Sequence, residues 1–149
     1  MFKKRILVSI MVVLLSSLML VGATRNERVD APVKLNLTIA EGQSLSALIS
    51  CYDSDGDTVV LTAEDLPIGV TVSSAIEEPN GYTDPNHPNP PASEDMDTVK
   101  WFTSNLNWTP SYTQSGSYTI YIHAEDDAGG DDWARIVVTV INSNRPPVL

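Results

Sequence analysis

The sequence predicts an all-β fold, a two-layer β-sandwich of about seven strands, and three features of the chain agree on this. Apolar residues recur at every second position in several runs, as in strands with one buried and one solvent-facing side. Clusters of Gly, Asp, Asn and Pro separate these runs at short intervals, as turns do. After residue 24 no window has the 3.6-residue period of an amphipathic helix.

The strands can be placed in order from residue 33 onward. Alternating apolar positions predict strands at 33–39, 45–51, 118–124 and 134–140, and a β-branched run predicts another at 58–63. Turns are predicted at 41–43, 53–57, 66–69, 109–116 and, as a hairpin, 127–131.

The first 23 residues predict a secretory signal peptide. Three basic residues at 3–5 precede an apolar run at 6–20, and Val21-Gly22-Ala23 supplies small residues for cleavage. The run is shorter than the ~20 residues that span a membrane, so an uncleaved anchor is only the alternative interpretation. The mature chain is expected to be secreted or held at the cell surface, with no transmembrane span.

The charge of the chain limits the kinds of partner that it is expected to bind. All 19 acidic residues lie after residue 23, whereas three of the nine basic residues lie before it, which leaves residues 24–149 with a net charge of −13. Such a surface repels nucleic acid and anionic membranes and attracts cations, among them extracellular calcium. Cys51 is the one cysteine, so no internal disulfide can form, and its place in an alternating run predicts a buried side chain.

A Pro-rich insertion at about 75–100 interrupts the alternating pattern. It holds five prolines, which cannot donate to a β-ladder, so a central strand is not expected in the proline-containing part. Loops of this length are typically functional or disordered. The insertion is therefore either a mobile surface loop or a binding loop, with Tyr82, His87 and Trp101 as candidate contacts.

Short motifs follow one another in a recognisable order between residues 31 and 149. They are Glu41-Gly42-Gln43, Asp53-Ser54-Asp55-Gly56-Asp57, Leu66-Pro67-Ile68-Gly69, Trp108-Thr109-Pro110, Gly116-Ser117-Tyr118 and Ala124-Glu125-Asp126. In this order they resemble the bacterial Ig-like and dystroglycan-type cadherin-like repeats. The resemblance implies an immunoglobulin-like (cadherin-like) Greek-key sandwich over residues 24–141. Residues 142–149 resemble the linker that leads into a further repeat.

Acidic residues on two turns make calcium the candidate cofactor. Ca²⁺ takes six to eight oxygen ligands, and Asp53, Asp55 and Asp57 alternate on a tight turn that can bring their carboxylates together. Asp126 and Asp127 lie on a later turn. The resemblance to cadherins places further ligands at Glu41, Asn142 and Asn144. The candidate metal ligands are thus Glu41, Asp53, Asp55, Asp57, Asp126, Asp127, Asn142 and Asn144.

Three observations limit the calcium prediction. Ser143 stands where the cadherin linker has its central acid, so fewer charged ligands and weaker binding are expected. Asp53, Asp55, Asp57 and Glu64 have EF-hand spacing, but Thr58 takes the place of the required glycine and the flanking segments are strands. Asp residues on turns also bond their own backbone without any metal.

No catalytic constellation is apparent in the sequence. Neither His87 nor His123 has a nucleophile or an acid at motif spacing, and no phosphate-binding glycine loop occurs. We therefore expect a non-catalytic adhesion or spacer module, with other Ig/cadherin-like repeats, surface proteins or polysaccharide as partners. The alternative is a carbohydrate-binding or structural accessory module of a secreted enzyme, in which Trp101, Trp108 and Trp133 either stack on sugar or pack in the core. Two coplanar exposed tryptophans would favour sugar, whereas carboxylates clustered at one pole would favour calcium.

Overall fold

The computed structural model describes residues 6–13, 33–82, 84, 98–145, 147 and 148. These residues form an all-β architecture of two sheets, which confirms the predicted fold class at that level. Over the described ranges the chain has no helix long and apolar enough to cross a membrane.

Two sheets share the strands of the described chain. In order, the strands are β1 (Ile6–Val13), β2 (Val33–Ala40), β3 (Leu45–Asp53), β4 (Val59–Glu64), β5 (Thr71–Val72), β6 (Ile76–Glu77), β7 (Lys100–Trp108), β8 (Gly116–Asp126) and β9 (Asp131–Ile141). One sheet has the order β1-β3-β7-β5, with β6 also paired to β7, and the other has the order β2-β9-β8-β4. Neighbouring strands are antiparallel except β2 and β9, which run parallel.

The core lies between the two sheets and is built from alternate positions of the long strands. Its largest apolar side chains, each under 2 % exposed, are Ile39, Leu45, Ile49, Leu106, Ile120, Ile122, Ile136 and Val138. Burying one such side chain stabilises the fold by roughly 1.5–3 kcal/mol. Cys51 is fully buried, as predicted; burial, followed by the charges of Asp53 and Asp132, raises the pKa of its thiol to about 12. The thiol is therefore a packing group at neutral pH.

Strand β7 is a central strand that the sequence pattern did not predict. It lies between β3 and the short strands β5 and β6. Its inward-facing positions include Ser104, which is fully buried and donates its hydroxyl to the Ser73 carbonyl at 2.7 Å. A polar residue on the buried side breaks the apolar alternation, and the broken pattern hid the strand.

The described part of the insertion packs on the outward face of β3 and β7. The Tyr82 ring lies 5.8 Å from that of Trp101, which in turn lies 5.1 Å from Tyr52. Asp84 is fully buried and accepts a hydrogen bond from the Ser50 hydroxyl. Residues 83 and 85–97, including His87, lie outside the described residues.

Part of the predicted signal peptide forms the first strand. Ile6–Val13 pairs antiparallel with β3, from Ile6 opposite Asp53 to Val13 opposite Ser46. Residues 1–5 and 14–23 lie outside the described residues. In the intact chain the apolar segment thus supplies hydrogen-bond partners to an edge that its predicted removal would leave open.

Candidate metal centre

The turn after β3 fixes one buried aspartate. Asp53 is the last residue of that strand and is fully buried. Its Oδ1 accepts hydrogen bonds from the backbone N–H groups of Asp55 at 3.0 Å and Asp57 at 2.8 Å. The chain bends through Gly56 at φ +78°, a conformation that side chains disfavour. One carboxylate oxygen therefore holds the turn that carries the next acids.

The turn after β8 repeats the arrangement with a second aspartate. Asp126 ends that strand and is 5 % exposed. Its Oδ1 accepts hydrogen bonds from the backbone N–H groups of Ala128 at 2.8 Å and Gly130 at 2.7 Å. The pairing of β4 with β8 sets Val59 opposite Asp126, which brings this turn beside the turn after β3.

Three carboxylates from the two turns meet at this pole of the sandwich. Oxygens of Asp53, Asp57 and Asp126 all lie within 4.8 Å of one another. Asp53 Oδ2 and Asp126 Oδ2 are buried and accept no hydrogen bond in the described structure. Buried carboxylate oxygens are normally paired, because desolvation of an unpaired charge costs several kcal/mol. Two such oxygens side by side leave a negative charge that a cation can compensate. We refer to Asp53, Asp57 and Asp126 as the acidic trio.

The acidic trio fits a calcium ion in size and chemistry. Oxygens bound to the same Ca²⁺ at 2.3–2.6 Å are at most roughly 5 Å apart, which matches the spacing of the trio. The donors are hard carboxylate oxygens, the type Ca²⁺ prefers. Asp57 is half-buried, so the cluster reaches the protein surface. Three ligands leave further coordination positions for backbone carbonyls, water or a neighbouring chain.

The electrostatics of Asp53 reflect this crowding. Burial raises the pKa of its carboxyl group above the ordinary value, and the charges of Asp57 and Asp126 raise it further. The backbone hydrogen bonds from Asp57 and Asp55 act in the opposite direction. The negative charge of Asp53 is thus disfavoured in the absence of a cation.

The opposite pole holds a different buried acid. Glu41 is 4 % exposed, and its two oxygens accept hydrogen bonds from the backbone N–H groups of Ser115 at 2.9 Å and Ser143 at 3.0 Å. Strand β9 runs from the turn after Asp126 toward this acid, and its 11 residues span roughly 33 Å. Asn142 and Asn144 directly follow β9 and are exposed.

The structure therefore divides the predicted ligands into three groups. Asp53, Asp57 and Asp126 come together in one cluster. Asp55 and Asp127 lie on the same two turns, exposed and outside the cluster. The remaining three predicted ligands, Glu41, Asn142 and Asn144, lie at the other pole. Glu64, the last EF-hand position, ends β4 opposite Tyr121. It lies five residues along the strand from Val59, which pairs with Asp126, so Glu64 is not beside the acidic trio.

Gly130 supports the acidic trio in a way that residue spacing did not reveal. A Cβ atom at this position would overlap Asp126 Oδ2 and lie 3.2 Å from its Cγ. The Gly129-Gly130 pair marks a turn in the sequence, but only the packing shows that Gly130 makes room for a carboxylate. Gly130 therefore positions a candidate ligand.

The tryptophans do not form the coplanar exposed pair that would favour sugar. Trp101 and Trp108 are 5 % and 2 % exposed, and the Trp108 indole N–H donates to the Ile68 carbonyl at 3.2 Å. Trp108 packs in the core between the sheets, whereas Trp101 packs on the outward face of β7 beside Tyr52 and Tyr82. Trp133 is half-buried and stacks on His123.

Comparisons with known proteins do not assign a family. No family model matches the chain, and no curated protein matches it. Among solved structures, an endo-fucoidan hydrolase from glycoside hydrolase family 107 is similar over 74 % of this chain, with 20 % sequence identity and a TM-score of 0.47. The matched region spans 13 % of the hydrolase chain.

Proposed function

We propose that the chain is an exported, non-catalytic immunoglobulin-like module that binds Ca²⁺ at the acidic trio. The observation that carries the proposal is the pair of buried oxygens, Asp53 Oδ2 and Asp126 Oδ2, which accept no hydrogen bond in the described structure and converge with Asp57. Such a pair is destabilising without a cation and favourable with one. Calcium binding to the native state therefore also stabilises the fold.

The strand order supports the finer fold assignment. Immunoglobulin-like domains place strands A, B, E and D in one sheet and C, F and G in the other. Within residues 24–141, the strands β3-β7-β5 correspond to B-E-D and the sheet β2-β9-β8-β4 corresponds to A′-G-F-C, with β2 as the strand A′ that pairs parallel with G. The Greek-key, cadherin-like topology is thus our assignment for residues 24–141.

The position of the acidic trio supports a role in adhesion or spacing. The trio lies at the pole opposite Glu41 and the outgoing segment after β9. Because the predicted signal peptide precedes this module in its own chain, a module of a neighbouring chain would supply the remaining oxygen ligands across a junction at the acidic trio. A calcium ion at that position would stiffen the junction. Other Ig/cadherin-like repeats and surface proteins are the corresponding partners.

Calcium titration of the purified chain by calorimetry tests the site, with magnesium as the competing ion. We expect calcium binding that Asp53→Asn weakens at least about tenfold, because a charged ligand is lost. Asp55→Asn is the matched control, since it makes the same charge change on the same turn outside the acidic trio. No binding by the wild type, or equal weakening by both substitutions, would refute the site.

A further inference from the structure

The outward face of the sheet β2-β9-β8-β4 carries a second candidate site. The register of β8 and β9 sets His123 opposite Trp133 and Tyr121 opposite Arg135. These four side chains alternate with the buried Ile122 and Ala134, so they lie on the side of the sheet away from the core. We call them the aromatic–arginine face. None of them belongs to the acidic trio.

Two rings of this face are held in a fixed arrangement. The His123 and Trp133 rings stack with centroids 4.0 Å apart and planes 13° apart. The Trp133 indole N–H donates to Asp131 Oδ2 at 3.1 Å, and His123 Nε2 lies 3.4 Å from the same oxygen. A ring that is already oriented loses little conformational freedom when a ligand packs on it.

Arg135 has an unmet hydrogen-bonding capacity beside these rings. Its Nε is buried and has no hydrogen-bond partner in the described structure. Two other described basic residues have partners: Lys100 lies 3.9 Å from Glu77, and the Arg145 guanidinium lies 4.5 Å from the Tyr112 ring centre. In a chain with 19 acidic and nine basic residues, a buried arginine Nε with no acceptor among the described residues is unexpected. An anionic ligand would complement it.

We infer that the aromatic–arginine face binds an acidic polysaccharide, a chain of sugar rings carrying carboxylate or sulfate groups. Aromatic rings offer flat apolar surfaces to the C–H faces of sugars. A guanidinium donates paired hydrogen bonds to carboxylate or sulfate oxygens, and the unpartnered Nε of Arg135 is one of the donors that such a pair can use. Asp131, with its side chain 56 % exposed, can accept hydrogen bonds from sugar hydroxyls. The inference does not depend on calcium binding.

Binding of the full chain to three polymers tests the inference, with EDTA present throughout. The polymers are dextran, dextran sulfate and polygalacturonate. EDTA removes any calcium bridge between the acidic trio and an anionic polymer, so a failure of the calcium proposal does not affect the outcome. We expect binding to dextran sulfate, polygalacturonate or both, and none to dextran. The polymer that binds distinguishes a sulfate from a carboxylate ligand, and binding to neither overturns the inference.

Substitutions on the aromatic–arginine face locate the binding. We expect Arg135→Gln and Trp133→Ala each to weaken it at least about tenfold, as loss of a charge-assisted pair or a stacking surface does. Trp133→Phe keeps a ring and should retain part of the affinity. Thr139→Ala is the control, because it changes an exposed position on the same strand. Thermal melts verify that each variant is folded. Two folded variants decide the outcome: the single variant Arg135→Gln and the double variant that combines Trp133→Phe with Arg135→Gln. If both bind the polymer as the wild type does, the inference is overturned.

Tryptophan fluorescence gives an independent readout of the same binding. Trp101 and Trp108 are buried, whereas Trp133 is half-buried. A change of emission on adding the acidic polymer is therefore expected to come from Trp133 and to disappear in Trp133→Phe. A change that persists in this variant would place the polymer elsewhere and refute the assigned face.

Discussion

The two poles of the sandwich each bury acidic side chains but satisfy them differently. At one pole, both oxygens of Glu41 accept backbone hydrogen bonds, from Ser115 and Ser143. At the other, Asp53 and Asp126 each use Oδ1 for their own turn and leave Oδ2 without a partner in the described structure. Glu41 thus connects two chain segments through hydrogen bonds, whereas Asp53 and Asp126 each keep one oxygen that can bind a cation. Burial alone therefore does not mark a metal ligand; the partners of each oxygen do.

The largest expected effect is the loss of calcium stabilisation in Asp126→Asn. At calcium concentrations 100-fold above Kd, the wild type should gain about 2.7 kcal/mol in the free energy of unfolding. The variant should lose this gain, and in EDTA it should be no less stable than the wild type, because a buried charge is removed. Urea denaturation with calcium and with EDTA measures both values. Asp127→Asn, an exposed neighbour with the same charge change, should keep the calcium gain; its loss there would contradict the assignment of the acidic trio.

The second-largest expected effect is a loss of stability on substitution of Glu41, at the pole opposite the acidic trio. Glu41→Ala should lower the free energy of unfolding by about 2 kcal/mol, because the N–H groups of Ser115 and Ser143 lose their acceptor. The loss should be the same with calcium and with EDTA. Glu41→Gln keeps one acceptor oxygen and should restore part of it. If the loss of stability appeared only with calcium, Glu41 would be a ligand and the distinction between the poles would fail.

A smaller effect is expected from Gly130→Ala. The added methyl group would displace Asp126 Oδ2, so calcium affinity should fall about tenfold, or about 1.4 kcal/mol. Calorimetric titration measures the change. Gly129→Asn serves as the control, since no atom lies within 4 Å of a Cβ there and Asn tolerates the positive φ of +84°. Equal weakening by both substitutions would mean that the turn as a whole, rather than Asp126, is affected.

The smallest expected effect is a pH dependence that reverses sign with calcium. Burial raises the pKa of Asp53 in the folded state, so its contribution to stability is fully present below the ordinary value of 3.8 and is lost as the pH rises through the raised pKa. In EDTA, the wild type should therefore lose stability relative to Asp53→Asn as the pH rises from about 4 to 7. With calcium, the wild type should instead gain stability relative to Asp53→Asn as the pH rises, because the ion binds the ionised carboxylate. Urea midpoints across this range test the prediction, and parallel curves in EDTA would contradict it.

The strands that could be predicted are those whose buried sides are apolar without interruption. The alternating positions of β3, β8 and β9 predicted their place and orientation, because every second residue faces the core. In β7 the pattern failed, since Ser104 occupies a core position and is satisfied by a loop carbonyl. The segment Ile6–Val13 shows a different ambiguity. An apolar run has the composition of both a signal peptide and an edge strand, so its composition alone did not predict the pairing with β3.

For the acidic trio, residue types and turn spacing determined that Asp53 and Asp57 share a turn and that Asp126 lies on another. Which acids meet was decided by the tertiary structure. The pairing of β4 with β8 brings the two turns together. Asn142 and Asn144 follow the 11-residue strand β9 and therefore lie at the opposite pole, near Glu41. Local turn chemistry depends on a few neighbouring residues, whereas convergence of carboxylates depends on strand register across the sandwich. That register is set by burial of the whole core, so no local motif contains it.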